Sequence, residues 1–275
     1  MVLGRFQSHQ ACAPAVGPGQ FPRTPRSFHI LICVVAFMAI AGCAFAQGGP
    51  PFYTNDPGTP GPRNWEINLA YMPFLYSDQS ITHTPDVDIN FGIGERIQLT
   101  YENAWLRVHE LPVDAKYGLG QSNFGVKWRF YDAGEQAWQV STYPQVEFNL
   151  PGSHAPARGL AEPGTGWLLP VEVMKDFGPF SANADFGLSH RSTGGNEWFG
   201  GLAVGRKVGR GCELAAELHG EAGTGFSRTE LAVNLGARID LAEKCTLLGS
   251  LGRELRNAGE PRATLLLSLG LQTRY

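Results

Sequence analysis

The feature that most constrains this chain is an alternation of period two that recurs along it and runs to its last residue. In "TLLLSLGLQTRY", Tyr275, Thr273, Leu271, Leu269, Leu267 and Leu265 share one face, and Arg274, Gln272, Gly270, Ser268 and Thr264 share the other; Leu266 is the exception. Successive side chains of a strand point to opposite faces, so the pattern demands an element apolar on one side only.

The same pattern returns upstream. "WEINLAY" sets Trp65, Ile67, Leu69 and Tyr71 against Glu66, Asn68 and Ala70. "RIQLTYENAW" sets Ile97, Leu99, Tyr101 and Trp105 against Gln98, Thr100 and Glu102, and "NFGVKWRF" sets Phe124, Val126, Trp128 and Phe130 against Lys127 and Arg129. Carried along the chain, this reading predicts about twelve strands, an even number that leaves both ends of a closed meander on one side.

The connections sort into two kinds. "GIGE", "YDAGEQ", "KDFGP", "VGRG" and "LAEK" are short. The alternate links, around Ser77 to Pro85, Arg107 to Tyr117, Pro151 to Gly164, Arg191 to Asn196, Gly220 to Arg228 and Arg253 to Pro261, read as longer polar loops. Short turns at one end and long loops at the other predict an all-β, transmembrane, antiparallel up-and-down β-barrel over 64–275. The aromatic residues Trp65, Trp138 and Tyr275 fall near the turn end of the outer face, and Trp105, Trp167 and Trp198 near the loop end. Two such belts are expected at two membrane interfaces.

The start of the chain supplies the matching address. The run "ILICVVAFMAI" and the small-x-small site "AFAQ" predict a signal peptide over 1–46, cleaved after Ala46, and hence export to a bacterial outer membrane. A retained anchor helix and a lipoprotein-like "IAGC" with Cys43 acylated are the alternatives. The lead over 47–63, rich in Pro and Gly, reads as a periplasmic extension or as a plug folding into the lumen. A net charge of -3 offers no concentrated basic face for nucleic acid. A soluble sandwich or lipocalin-like barrel would share the alternation, but a dozen strands would give it an interior too wide for aliphatic side chains to fill.

A barrel must also close, since an open strand edge cannot be hydrated within a bilayer. That need accounts for a strand at the end of the chain. Tyr275, Leu271, Leu269 and Leu267 resemble the C-terminal signal read by the barrel-insertion machinery, with Thr273 a polar departure. "PPFYTNDPGTPGPRNWEINLAY", "GLGQSNFGVKWRFYD" and "YPQVEFNLPG" resemble outer-membrane transporters grouped with the phenol-degradation MetA-pathway family. That resemblance implies a channel-like barrel passing small, often hydrophobic or aromatic, compounds. A structural barrel without an open pore is the alternative.

In such a barrel the polar face lines the lumen, so Glu102, Lys127, Arg129, Glu147, Glu172 and Arg238 are the candidate lining residues. Strand adjacency sets Lys127 and Arg129 between strands bearing Glu102 and Glu147, and Arg238 between Glu217 and the turn bearing Glu243, as a bracing lattice or a selectivity lining. The acidic excess favours cationic or neutral solutes. "LSHRSTGGN" offers a third reading: His190 and Ser192 resemble the His-x-Ser pair of outer-membrane lipid hydrolases. Thr193 stands where those enzymes carry Asn, and Asn196 is a weak substitute, so no catalytic residue is assigned. Cys212 and Cys245 are expected at the turn end on strands separated by one other, a spacing beyond the reach of a disulfide unless their turns lean together, so two free thiols and a pair are both open. No cofactor or metal is expected, as His83, His109, His154 and His219 lack ligand spacing.

Overall fold

The computed structural model describes residues 49–134, 137–178, 180–209, 211–226, 228–258 and 261–275. The expected signal peptide and Cys43 lie outside them.

Twelve antiparallel strands close into one barrel. They are β1 (Trp65–Leu75), β2 (Gln79–Ile93), β3 (Ile97–Glu110), β4 (Lys116–Leu119 and Ser122–Asp132), β5 (Gln139–Thr142 and Gln145–Phe148), β6 (Gly166–Phe177), β7 (Phe180–Arg191), β8 (Gly195–Lys207), β9 (Cys212–Gly223), β10 (Thr229–Ala242), β11 (Cys245–Asn257) and β12 (Leu265–Arg274). Each pairs with its sequence neighbours, and β12 pairs with β1 in a register that sets Leu69 opposite Leu271. Reciprocal 3.0 Å bonds between the backbones of Trp65 and Tyr275 finish the seam, so the last residue belongs to the ladder.

The outer face is apolar. Leu69, Val146, Leu169, Phe186, Leu202, Leu235, Leu251 and Leu269 are each between 47% and 59% exposed. In water such a band would forfeit about 25 cal/mol per Å² of apolar surface, so its proper solvent is lipid. Trp65, Trp105, Trp138 and Tyr275 stand exposed on this face. Trp198 stacks on Phe186 and Trp167 tilts against His190.

Several expected loops are strand instead. β2 begins at Gln79, β3 runs to Glu110, β9 to Gly223 and β11 to Asn257. Stretches such as "QSITHT" read as loop because they are polar, yet above a bilayer both faces of a hairpin can be wet and Thr suits an extended backbone. The link 149–165 is long, with one 3-10 turn at Pro156–Arg158.

The wall is irregular on one side. Between His83 and Asp86, β2 carries an extra residue at Thr84 and Pro85. Likewise three steps of β3 from Glu102 to Trp105 face four of β4 from Leu119 to Asn123, which puts a bulge at Gly120 and Gln121. Asn103 repairs the gap, its Nδ2 donating to Ser122 Oγ at 2.7 Å and to Gly120 O at 3.5 Å. In β5 the break falls at Tyr143 and Pro144, where proline has no N–H to give the ladder.

Candidate functional site

The inward positions form two layers. Near the turn end they are polar and joined: Asn68 and Asn90 donate to Asp88, and Gln98 and Thr100 to Asn90. Near the loop end β1, β2, β3 and β12 turn apolar residues inward, and Met72, Phe74, Ile81, Leu106, Val108 and Leu266 form a buried cluster. Leu266, the exception to the alternation of the last strand, is 2% exposed within it.

The link 149–165 straps this cluster from above. Leu160 enters it at 1% exposed, and Gly118 leaves it room, since a Cβ there would stand 2.7 Å from Leu160 Cδ1. Arg158 Nη2 donates to Tyr117 O at 2.8 Å and Thr193 Oγ1 to Pro163 O at 2.9 Å. Ser192 Oγ accepts from Thr165 N at 3.0 Å, so this hydroxyl holds the strap. His190 instead places Nδ1 2.6 Å from Asn196 Oδ1. Ser192 lies beyond the end of β7 and pairs with a loop, so the His-x-Ser pair is not assembled as a nucleophile and its base.

The lead enters the lumen from the turn end. Phe52, Tyr53, Thr54 and Pro57 are buried, and the wall grips the lead's backbone. Arg238 donates to Gly49 O and Pro50 O, Ser250 Oγ to Pro51 O and Lys127 Nζ to Asp56 O. In return Thr54 N donates to Glu217 Oε1 at 2.5 Å and Asn55 N to Asp185 Oδ2 at 3.0 Å. Three strands present glycine where the lead passes. A Cβ on Gly236 would meet the Phe52 ring at 2.6 Å, one on Gly92 would overlap Gly61 O, and one on Gly201 would overlap Thr54 Oγ1. Side chains at these positions would occupy the seat of the lead.

Space remains around it in several places. A cavity near the turn end is bounded by the lead, Asp88, Glu102 and Lys127. Another, above the lead, is bounded by Tyr53, Glu147, Asp185 and His219. A further one lies under Leu160 beside Leu106, Glu102 and Glu147.

All six candidate lining residues lie on inward positions, and Lys127, Arg129 and Glu147 take partners other than strand adjacency suggests. Lys127 pairs with Glu172 at 3.5 Å, two strands away, beside the Tyr143 ring. Ser141 Oγ donates to the same carboxylate at 2.6 Å. Arg129 pairs with Asp132 at 3.2 Å and donates to Glu95 O, so it belongs to the turn end. Glu147 pairs with Arg191 at 3.1 Å, and Arg238 lies 4.0 Å from Glu213. Glu102 borders both the turn-end cavity and that under the strap. Asp185 and Arg191 join this set without being lining candidates in the sequence, where Asp185 falls on the polar face of its strand and Arg191 reads as the start of a loop. Cys212 and Cys245 are free thiols. Among the described residues no three His, Cys, Asp or Glu side chains group to hold a metal.

Solved structures share this architecture. The COG4313 outer membrane channel from Pseudomonas putida F1 superposes with a TM-score of 0.68 at 14% identity, over 83% of this chain and all of that one. The fold is that of an outer-membrane barrel. The KdgM porin gives 0.53 at 9% identity over 75% of this chain and 98% of its own, and the NanC porin 0.51 at 11% over 76% and 97%. No family model and no curated protein matches the sequence, so the kinship to the MetA-pathway group goes no further than a resemblance of motifs.

Proposed function

We propose that this chain is an outer-membrane channel for small solutes, closed at rest by its own lead and strap and opened when the lead leaves its seat. The observation that carries the reading is the mode of attachment. Charged and polar wall side chains hold the lead by its backbone carbonyls and amides, bonds that water can replace when it withdraws. A core meant only to fill the barrel would be expected to bury apolar side chains throughout.

The signal-peptide-like start and the apolar belt support an outer-membrane location, and the strand ending at Tyr275 supports delivery by the insertion machinery. The apolar cluster beneath the strap supports solutes with a hydrophobic or aromatic body, in keeping with the motif resemblance. The test is single-channel conductance of the refolded chain in a planar bilayer, beside a variant lacking residues 49–62. Brief, narrow openings that become wide and steady on deletion are expected. A folded barrel silent in both forms would overturn the channel in favour of a structural barrel.

A further inference from the structure

The outer wall carries charge in one sector of a rim that is otherwise neutral. Strand parity sets Lys175 outward, because its neighbour Met174 pairs with the inward Asn183 and Lys175 itself with Ala182. Arg206 is outward by the same count, since Gly205 before it pairs with the inward Ser181. Among the described residues these two are the only charged side chains on outward strand positions of the turn end. From Trp65 round to Tyr275 the other outward positions there are apolar, aromatic, Thr or Cys. Both cations fall within β6 to β8.

Aromatic rings seat them. Lys175 Nζ stands 4.8 Å from the centroid of the Trp138 ring and 5.3 Å from that of Phe177. Arg206 Cζ stands 5.3 Å from the ring of Phe180, the residue paired with Phe177 at the foot of the β6–β7 hairpin. Trp138 and Phe177 are 48% and 51% exposed, so their rings meet lipid. Arg206 is covered and adds its charge behind the ring pair, whereas Lys175 is half-buried and can be reached from the membrane.

An ammonium at the edge of the hydrocarbon keeps its charge where its stem can carry the head to a polar partner. Ring faces attract the cation but bring no net charge to balance it. Among the described residues of this sector no carboxylate shares the outward face. At this depth of a bilayer the available anion is the phosphate of a phospholipid, and its acyl chains would lie along the apolar wall of Val140, Val171 and Val173. A zwitterionic headgroup would bring its own ammonium toward two cations, which repel it, and an anionic headgroup would not.

We infer that the face formed by Trp138, Lys175, Phe177 and Phe180 binds the phosphate of an anionic phospholipid in the periplasmic leaflet. This rests on the barrel's place in the outer membrane and not on conduction.

The test is native mass spectrometry of the full refolded chain, released from micelles holding equal amounts of phosphatidylglycerol and phosphatidylethanolamine with matched oleoyl chains. One saturable phosphatidylglycerol adduct is expected, favoured about five-fold or more, the factor a single cation near a membrane surface supplies. Lys175→Gln should bring the two lipids to within about two-fold, Lys175→Arg should keep the preference, and Lys244→Gln, in a turn at the same end, should leave it unchanged. Heat-modifiable mobility on gels establishes which variants fold. Trp138→Leu removes one wall of the seat, should lower the preference about three-fold, and decides the matter if Lys175→Gln does not fold. Equal adducts of both lipids on the parent chain, an unchanged preference in the deciding variant, or displacement of the adduct by glycerol phosphate without acyl chains would each overturn the proposal. A barrel that selects the anionic lipid but is silent in bilayers would overturn the channel alone.

Discussion

Replacing Gly201 by valine tests whether the lead is a docked, removable element. Gly201 lies inward on β8, opposite Asp185 on one neighbour and His219 on the other. The added Cβ would overlap Thr54 Oγ1 and lie 3.0 Å from Asp185 Oδ1 and 3.1 Å from His219 Nδ1, inside ordinary contact on three sides. Rotation of the Thr54 hydroxyl can relieve an alanine in part, but valine adds two methyls and leaves no such escape. Displacing Thr54 breaks the bond from its N–H to Glu217 and strains that from Asn55 to Asp185. Each is a hydrogen bond to a charged acceptor, worth about 1.5–3 kcal/mol, so together they bias docking by roughly 3–6 kcal/mol. That shifts the ratio of docked to released lead by about 10²- to 10⁴-fold, enough to take a barrel that is about 99% closed to one between about half and about 99% open. The β-ladder itself should not suffer, because valine favours strands more than glycine does. Single-channel recording should give long, wide openings for Gly201→Val, an intermediate phenotype for Gly201→Ala and none for Gly249→Ala, whose Cβ would meet its nearest atom at 3.9 Å. A folded Gly201→Val barrel conducting like the parent would refute the argument that the lead's seat sets the closed state.

Three further outcomes follow from the contacts described. Leu160→Asp places a charge in the apolar cluster under the strap and should release 149–165 at a cost of roughly 2–5 kcal/mol to that contact, measured as faster proteolysis within the strap while the barrel stays intact. Ser192→Ala should remove one strap bond, about 0.5–1.5 kcal/mol, and leave any lipid hydrolysis by the purified barrel unchanged; a selective loss of hydrolysis would restore the enzymatic reading. Asn103→Leu should leave Gly120 O without its side-chain donor and Ser122 Oγ with the Tyr101 hydroxyl alone, and lower barrel stability by about 1–3 kcal/mol in urea titration, whereas Asn149→Leu, out in the strap, should not.

Much of the wall was legible in the sequence because a strand residue's face depends only on its position in the alternation. Trp65, Leu69 and Tyr71 outward and Asn68 inward could be read before any strand was paired, and so could the closure of β12 on β1. Polarity misled the reading where it was taken for looseness: Gln79–Pro85 is strand because a hairpin wet on both faces still makes its ladder bonds. The expected ion pairs of Lys127 and Arg129 failed for another reason. A long cation can reach across an intervening strand, as Lys127 does beside the Tyr143 ring to meet Glu172, and such reach is not encoded in strand order.

Leu266 marks the boundary between the two kinds of information. By sequence it was only a break in alternation; in the barrel it joins Leu106, Val108 and Leu160 from distant segments in a buried apolar cluster. The sequence by itself determined the period, the approximate number of strands and which side of each must face lipid, since these follow from local geometry and the cost of wetting apolar surface. Only the tertiary structure decided that the lead threads the lumen and that Gly92, Gly201 and Gly236 make room for it. Those facts arise where curvature of the closed sheet brings β2, β8, β10 and the lead together, across separations of up to 184 residues that no local pattern spans.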